Sequence, residues 1–444
     1  MFSSMSYLFK LQQYLKYTLV FLILVRVSLF DMWQSVKISV FGIGLNPAGI
    51  AGIALSVVGI FALLKTRKWH NERLFTVLLL FFFVNCVLTL QSNHIFTSLE
   101  ELIRILNYVM LYWLGYEFFS NKKDVRAILI TYGLAGLMIS AISLMQYLRL
   151  GGNFETIDFP NRLQGPFPHP NILAFTIAFI AMLLAGIIIF LKKKQQSRDS
   201  RYQTIKQHTM LILALVAFAG GVITLLFTYT RGAWLAFTVA SIIFCFILMR
   251  QTAVKTILIT LLAIIAFHTG SVALFNTTPL HRLADIAPIK RVLLTPKDED
   301  YTISGRFDLW RYGFIVFLQD PITGYGLGNF HRAVSFYLRL PPDEGLNPHN
   351  DFIRFLVESG MIGFGLFVWL IIEWFTKAMT IFKKNTEHKI ITTTVLCSGI
   401  VFFLGTVTDN LFRFTALLWM FWFLSGAYFG WFSKILENKK NAKV

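Results

Sequence analysis

Charge is what this sequence has least of. Only 14% of its 444 residues are Asp, Glu, Lys or Arg, against about a quarter in a soluble domain, and that shortage excludes an ordinary water-soluble globule. Acidic residues are the scarcer sign, 23 against 41 basic ones. No acidic pair is placed to hold a metal, and no Asp-x-Asp stands at an outer helix end, which argues against chemistry that depends on a divalent ion. Cysteine is nearly absent. Cys86, Cys245 and Cys397 all lie inside apolar runs, so free, buried thiols are expected and a disulfide framework is excluded. No small-residue cleavage site follows the first apolar run, so that run is expected to stay as a helix. There is no internal repeat and no low-complexity tail beyond a short basic C-terminus.

What is abundant is apolar side chain. Hydrophobic residues make up 56%, aromatic residues 16%, and 45 residues are Phe; mean hydropathy is +0.62. The expected fold class is all-α, a polytopic membrane protein. Runs of about twenty apolar residues, the length that crosses a bilayer core, occur at 17–31, 38–64, 74–92, 99–119, 125–148, 171–191, 209–228, 232–249, 256–275, 350–376, 390–409 and 413–433. The first is short and carries Arg26. The fourth opens with Glu100, Glu101 and Arg104, so its outer end is not expected to face lipid. Every second junction is basic, for example Lys65–Arg73, Lys192–Lys206 and Lys377–Lys389. By the positive-inside rule this gives twelve spans with both termini cytoplasmic. The net charge of +18 is then a topology signal, and nucleic acid is not an expected partner.

The chain divides into spans one to nine (1–275), a large external loop (276–349), and spans ten to twelve with a short basic tail (350–444). The loop is near neutral and holds two candidate helices. Ser304–Gln319 carries Phe307, Trp310, Phe314, Phe317 and Leu318 on an apolar stripe and stops at Asp320-Pro321. Asn329–Leu340 is ended by Pro341-Pro342. Such amphipathic helices lie on or partly in the outer membrane face. A second outer loop, Arg149–Pro170, is rich in turns, and its His169 is expected to set the entry to span six.

Pro348–Gly363 is where the loop meets an apolar helix. His349 stands at the junction. Asn350 suits an N-cap and Asp351 the positive end of the helix dipole. Gly360 and Gly363, with Gly365 nearby, would let a neighbouring helix approach closely. Arg231 lies in a tight turn between spans seven and eight, as an interfacial side chain or as part of a site. Arg306 and Arg311 sit on the loop helix; solvation accounts for Arg311, which is kept as a candidate substrate contact. Asp409-Asn410 and Arg413, at the mouth of spans eleven and twelve, form a local ion pair or line a cavity. Together these groups make a chemical kit. Arginine grips phosphate with paired donors and keeps its charge. A diphosphate leaving group needs that neutralisation as its bond breaks. Histidine is suited to take a hydroxyl proton near neutral pH, and a helix N-terminus favours an anion.

Three motifs resemble those of the O-antigen ligase and polymerase superfamily of bacterial envelope enzymes. His349-Asn350, nine residues, then Gly360-x-x-Gly363 is similar to the ligase pattern. Thr230-Arg231-Gly232-Ala233-Trp234 is similar to the family's Arg-Gly turn. Ser304-Gly305-Arg306 to Trp310, with Asp320-Pro321 and the Gly324–Phe330 turn, is similar to the opening of its external loop. Residues 160 to 415 carry the likeness; before them only the topology agrees.

The resemblance implies a glycan transfer without metal or cofactor, from an undecaprenyl-diphosphate donor to an acceptor hydroxyl on a lipid A core sugar, with inversion. His349 would activate the hydroxyl, and Arg231 and Arg306 would bind the diphosphate. Arg311, Asn350, Asp409 and Arg413 would contact substrate. The expected place is the bacterial inner membrane, with the long loop periplasmic. A repeat-unit polymerase of the same superfamily is the alternative reading. A lipid flippase is a lesser one, since the notable charges cluster at the outer side and not at the midplane.

Overall fold

The computed structural model describes residues 16–29, 38–40, 43–66, 72–92, 94–150, 162–195, 201–248, 303–342, 345–385 and 387–441. Helix α1 covers 16–28. A small antiparallel hairpin of β1 (Ile38–Val40) and β2 (Ile43–Leu45) follows. Then come α2 (Pro47–Thr66), α3 (Arg73–Thr89), α4 (Ile95–Phe118), α5 (Lys122–Arg149), α6 (Pro170–Gln195), α7 (Arg201–Phe227) and α8 (Arg231–Leu248). The segment before α11 contributes α9 (Ile303–Gln319) and α10 (Phe330–Leu338), and then come α11 (Asp351–Lys384), α12 (Lys389–Thr408), a 3₁₀ turn (Leu411–Arg413) and α13 (Thr415–Asn441).

Apart from the hairpin, the described elements are helical. Eight of them, α2, α5 to α8 and α11 to α13, are long and apolar enough to cross a membrane. The expected count of twelve is therefore not reached. At 17 residues α3 is short, α4 carries its acidic and basic opening, and the run 256–275 lies outside the described residues, as does loop segment 276–302. The second run was expected from residue 38, but the hairpin occupies its start. Asn46 accepts the Gly49 N–H at 2.8 Å, and Pro47 takes the first helical position, where no N–H is needed.

The helices group into two compact units. One comprises residues 1–135, 306–384 and 406–444. Its most extensive helix pair is α4 on α13. A Cβ at Gly115 would strike the backbone of Phe423 and Ala427, and one at Gly426 or Gly430 the backbone of Tyr112 or Tyr116. The pair thus packs main chain on main chain, as small residues permit, among the buried rings of Trp113, Trp419 and Trp422. The other unit comprises 136–305 and 385–405. There α6 packs on α7 and α8, and Gly186 of α6 abuts Thr394 of α12.

Helix α11 is broken. Gly360 has φ 58° and ψ −167°, far from helical values. A break strands backbone groups on both sides, and inside an apolar bundle each costs free energy unless paired. The turn after α9 supplies the partners. Tyr325 N–H and Gly326 N–H donate to Val357 and Glu358 carbonyls at 2.9 Å, while Met361 N–H donates to Pro321 at 2.9 Å and Ile362 N–H to Ile322 at 3.5 Å. Gly324, at φ 74°, lies against the backbone of Glu358 to Gly360. Gly360 therefore admits a loop, not a neighbouring helix, which corrects the helix-packing expectation. Gly363 lies under the Ser359 side chain, whose hydroxyl bonds Asn85 of α3 at 2.9 Å. Gly365 faces open space.

Gly360→Ala would force a left-handed backbone on a residue whose Cβ overlaps the Ile322 carbonyl. It is expected to lower unfolding stability in detergent by about 2–4 kcal/mol. Gly365→Ala should change it by less than about 0.5 kcal/mol.

Candidate functional site

The junction before α11 is built from bonds that arrive from elsewhere in the same unit. His349 has φ 49°, a conformation His tolerates better than bulky residues do. Asn350 caps α11, its Oδ1 accepting Phe352 and Ile353 N–H at 2.9 and 3.2 Å. Its own N–H donates to Asn410 Oδ1 at 2.9 Å. Asp351 Oδ2 accepts Phe412 N–H at 2.9 Å. From α9, Trp310 Nε1 donates to the Pro348 carbonyl at 2.8 Å. His349 is thus fixed between the loop helix and the turn that follows α12.

His349 Nδ1 stands 3.0 Å from Asp409 Oδ1. Asp409 is buried, which pushes its pKa up, but the His349 hydrogen bond and charge, the Asn410 N–H and the nearby Arg306 outweigh burial and hold it below the ordinary carboxylate value. An ionised carboxylate only accepts hydrogen bonds. Nδ1 is therefore the nitrogen that donates to Asp409, which leaves Nε2 on the other side of the ring. The His349 side chain keeps 36% of its surface exposed while that of Asp409 keeps 4%, so the ring is reachable and its partner is not. Arg306 Nη1 donates to the Thr408 carbonyl at 2.9 Å, which sets a permanent cation at the negative end of α12.

The remaining candidates separate. Asp409 and Arg413 do not pair with each other. Arg413 Nε donates to Glu101 at 3.1 Å and its Nη1 to Asn347 at 2.6 Å. Asn350 is occupied by capping. Arg311 is exposed on the outer face of α9. Arg231 opens α8 in the other unit, half-buried and without a hydrogen bond or ion pair among the described residues. Its turn is tied by Arg162, which donates to Thr228 at 2.7 Å and to Thr230 and Asn171 at 2.8 and 3.0 Å, and by Trp234 Nε1 to Leu225 at 2.8 Å. His169 accepts the Asn171 N–H at the start of α6. Among the described residues no group of three His, Cys, Asp or Glu could hold a metal.

Sequence reasoning missed the ionic core behind the site. Glu101 of α4 meets Arg104, Arg413 and, at 3.6 Å, Arg354. Arg354 faces Asp351 at 3.0 Å as an ion pair. Glu358, on the same helix, accepts the Phe330 N–H at 3.2 Å and so caps α10. The signal was present as Asp351, Arg354 and Glu358 at spacings of three and four, which share one helix face.

Residues 214–368 match the family model described as O-antigen ligase. That stretch includes the Thr230–Trp234 turn, α9, His349 and the broken part of α11. Over that stretch the chain is similar to the O-antigen ligases. It is also similar to an uncharacterized protein of Haemophilus influenzae, 24% identical over 420 residues, which cover 90% of this chain and 98% of that one. A putative polysaccharide ligase of Rickettsia conorii is 24% identical over 239 residues, 50% of this chain and 49% of that protein. An O-antigen ligase of Salmonella typhimurium is 26% identical over 171 residues, 37% and 40% of the two chains. The chain thus aligns with half or less of each relative that carries a functional name. Likeness to the O-antigen ligases supports a ligase-type function.

Glu101→Ala would leave Arg354 buried with one partner fewer and take the carboxylate away from Arg104 and Arg413. It is expected to cost about 3–5 kcal/mol in unfolding stability. Asp409 bears on pH. A depressed pKa contributes stability above the ordinary carboxylate range, and that contribution is lost as pH falls through the lowered value. Acidification from about pH 5 to about pH 3 should therefore lower the unfolding midpoint of the native protein more than that of Asp409→Asn.

Proposed function

We propose that this protein transfers a glycan from a polyprenyl diphosphate to an acceptor hydroxyl, with His349 as general base. The observation that carries this reading is the His349–Asp409 contact at 3.0 Å, with Arg306 anchored at the same end of α12. Asp409 holds the imidazole in one orientation and tautomer, and it stabilises the imidazolium that forms. Nε2 takes the proton of the acceptor hydroxyl as its oxygen attacks the anomeric carbon. The carbon–oxygen bond to the diphosphate breaks in the same step, so configuration inverts and the polyprenyl diphosphate leaves with the bonding pair. Arg306 neutralises the charge that develops on it.

The donor lipid is an undecaprenyl diphosphate and the acceptor a lipid A core sugar, as the ligase resemblance implies. The loop that holds α9 and α10 lies on the periplasmic side, and both termini are cytoplasmic. In this reading the step needs no metal, because the Arg306 guanidinium supplies positive charge for the leaving group.

Purified protein, a polyprenyl-diphosphate oligosaccharide and a lipid A-core acceptor, with chelator present, make the test. One glycan added per acceptor is expected. His349→Ala or Arg306→Ala should reduce the rate by about 10²–10⁴-fold, and Asp409→Asn by about 10²-fold with little change in donor affinity. Chain growth on the donor without acceptor would instead assign a polymerase. Donor carried across vesicles with no transfer would remove the enzyme reading.

A further inference from the structure

Helix α9 is apolar on two opposite faces. On one, Leu309, Val316 and Phe317 are buried with Phe330, Val334 and Val357. On the other, Phe307, Phe314 and Leu318 are 58%, 51% and 60% exposed, and Ile322 in the following turn is 62% exposed. The stripe expected from sequence is split: Phe317 turns inward with Trp310 against the cluster, and Phe307, Phe314 and Leu318 turn out. Positions 307, 311, 314 and 318 share one helix face, and Arg311 sits in its middle. Asp308 and Gln319 are exposed on the flank between the two faces; single exposed apolar residues need no account, but a row of large ones along one helix face does.

The row does not end at α9. The turn that carries Ile322 is bonded to α11 through Met361 and Ile362 N–H. Met361, Ile362, Trp369 and Ile372 are themselves exposed, on a helix long and apolar enough to cross a membrane. The joint lies roughly 13 Å along α11 from Asp351, at 1.5 Å per residue. The outward face of α9 thus leads, through the bonded turn, to the exposed apolar side chains of a candidate membrane-spanning helix. Non-helical backbone at that depth is tolerated where protein covers it, as the bonds at Gly360 do. A cation set among these residues has no hydrogen bond or ion pair among the described ones, and a guanidinium fork matches a phosphate.

We propose that α9 is seated in the lipid leaflet around the first half of α11, with Phe307, Phe314, Leu318 and Ile322 among acyl chains and Arg311 on the phosphate of an anionic phospholipid. The site differs from that of Arg306, which points to the end of α12.

The test uses the unmodified protein in vesicles of equal phosphatidylglycerol and phosphatidylcholine, with a photoreactive group on the acyl chain of one or the other, and maps labelled residues by mass spectrometry. Labelling at 307–322 as well as at 369–372 is expected, favouring phosphatidylglycerol about five-fold. Arg311→Gln, at an exposed position, should bring that ratio at 307–322 to near one and leave it unchanged at 369–372. Labelling confined to α11, or α9 crosslinked to a second copy, would overturn the proposal. So would loss of phosphatidylglycerol labelling on adding small amounts of polyprenyl-diphosphate oligosaccharide, which would make that lipid the occupant.

Discussion

A backbone N–H or C=O left unpaired inside an apolar bundle is too costly to persist, and the break at Gly360 creates four such groups. Their pairing by residues 321–326 governs much of what surrounds it. It pins the end of α9 to α11, and α9 then reaches the junction through Trp310 on Pro348 and the end of α12 through Arg306 on Thr408. The same clamp places Glu358 where it caps α10. One glycine without a Cβ thus joins the external loop to the helix that follows it.

Behind that frame sits a buried set of ions. Taking Arg354, Glu101 and Asp351 out of water has a large desolvation cost, which only mutual pairing offsets. Such a set adds little net stability over an apolar core, but it tolerates few arrangements. Every member must face its partner, so α4, the first turn of α11 and the 3₁₀ turn at Leu411–Arg413 are held in one register. His349 inherits that precision, because Asn347 and Asn350 on either side of it are tied to Arg413 and Asn410.

Much of this was legible in the chain. Outside the start of the second run, apolar runs predicted helices where the structure describes them, since a helix that satisfies its own backbone is the cheapest way across hydrocarbon. Asn350 read correctly as a cap because capping is local chemistry. The motif residues Arg231, Arg306 and His349 fall within the stretch that the O-antigen ligase model matches. What failed to show were properties that depend on distant partners. The hairpin at 38–45 sits in an apolar run that length alone reads as helix. Gly360 in an apolar helix looks like a packing residue until the loop that fills it is seen. Arg413 and Asp409 look like a pair by proximity in sequence, yet each has a closer partner, Glu101 and His349, from another segment. Phe314 and Phe317 are alike as letters, and only packing decides which one turns inward.

The Asp409 contact has a consequence in time as well as in space. His349 precedes its carboxylate by sixty residues, and Asn410, Phe412 and Arg413, which hold the same junction, come later still. A chain emerging from the ribosome therefore inserts α11 with its imidazole unoriented. The dyad closes only after α12 and the turn beyond it have been made, so under the proposed reaction a half-made chain would hold no oriented base.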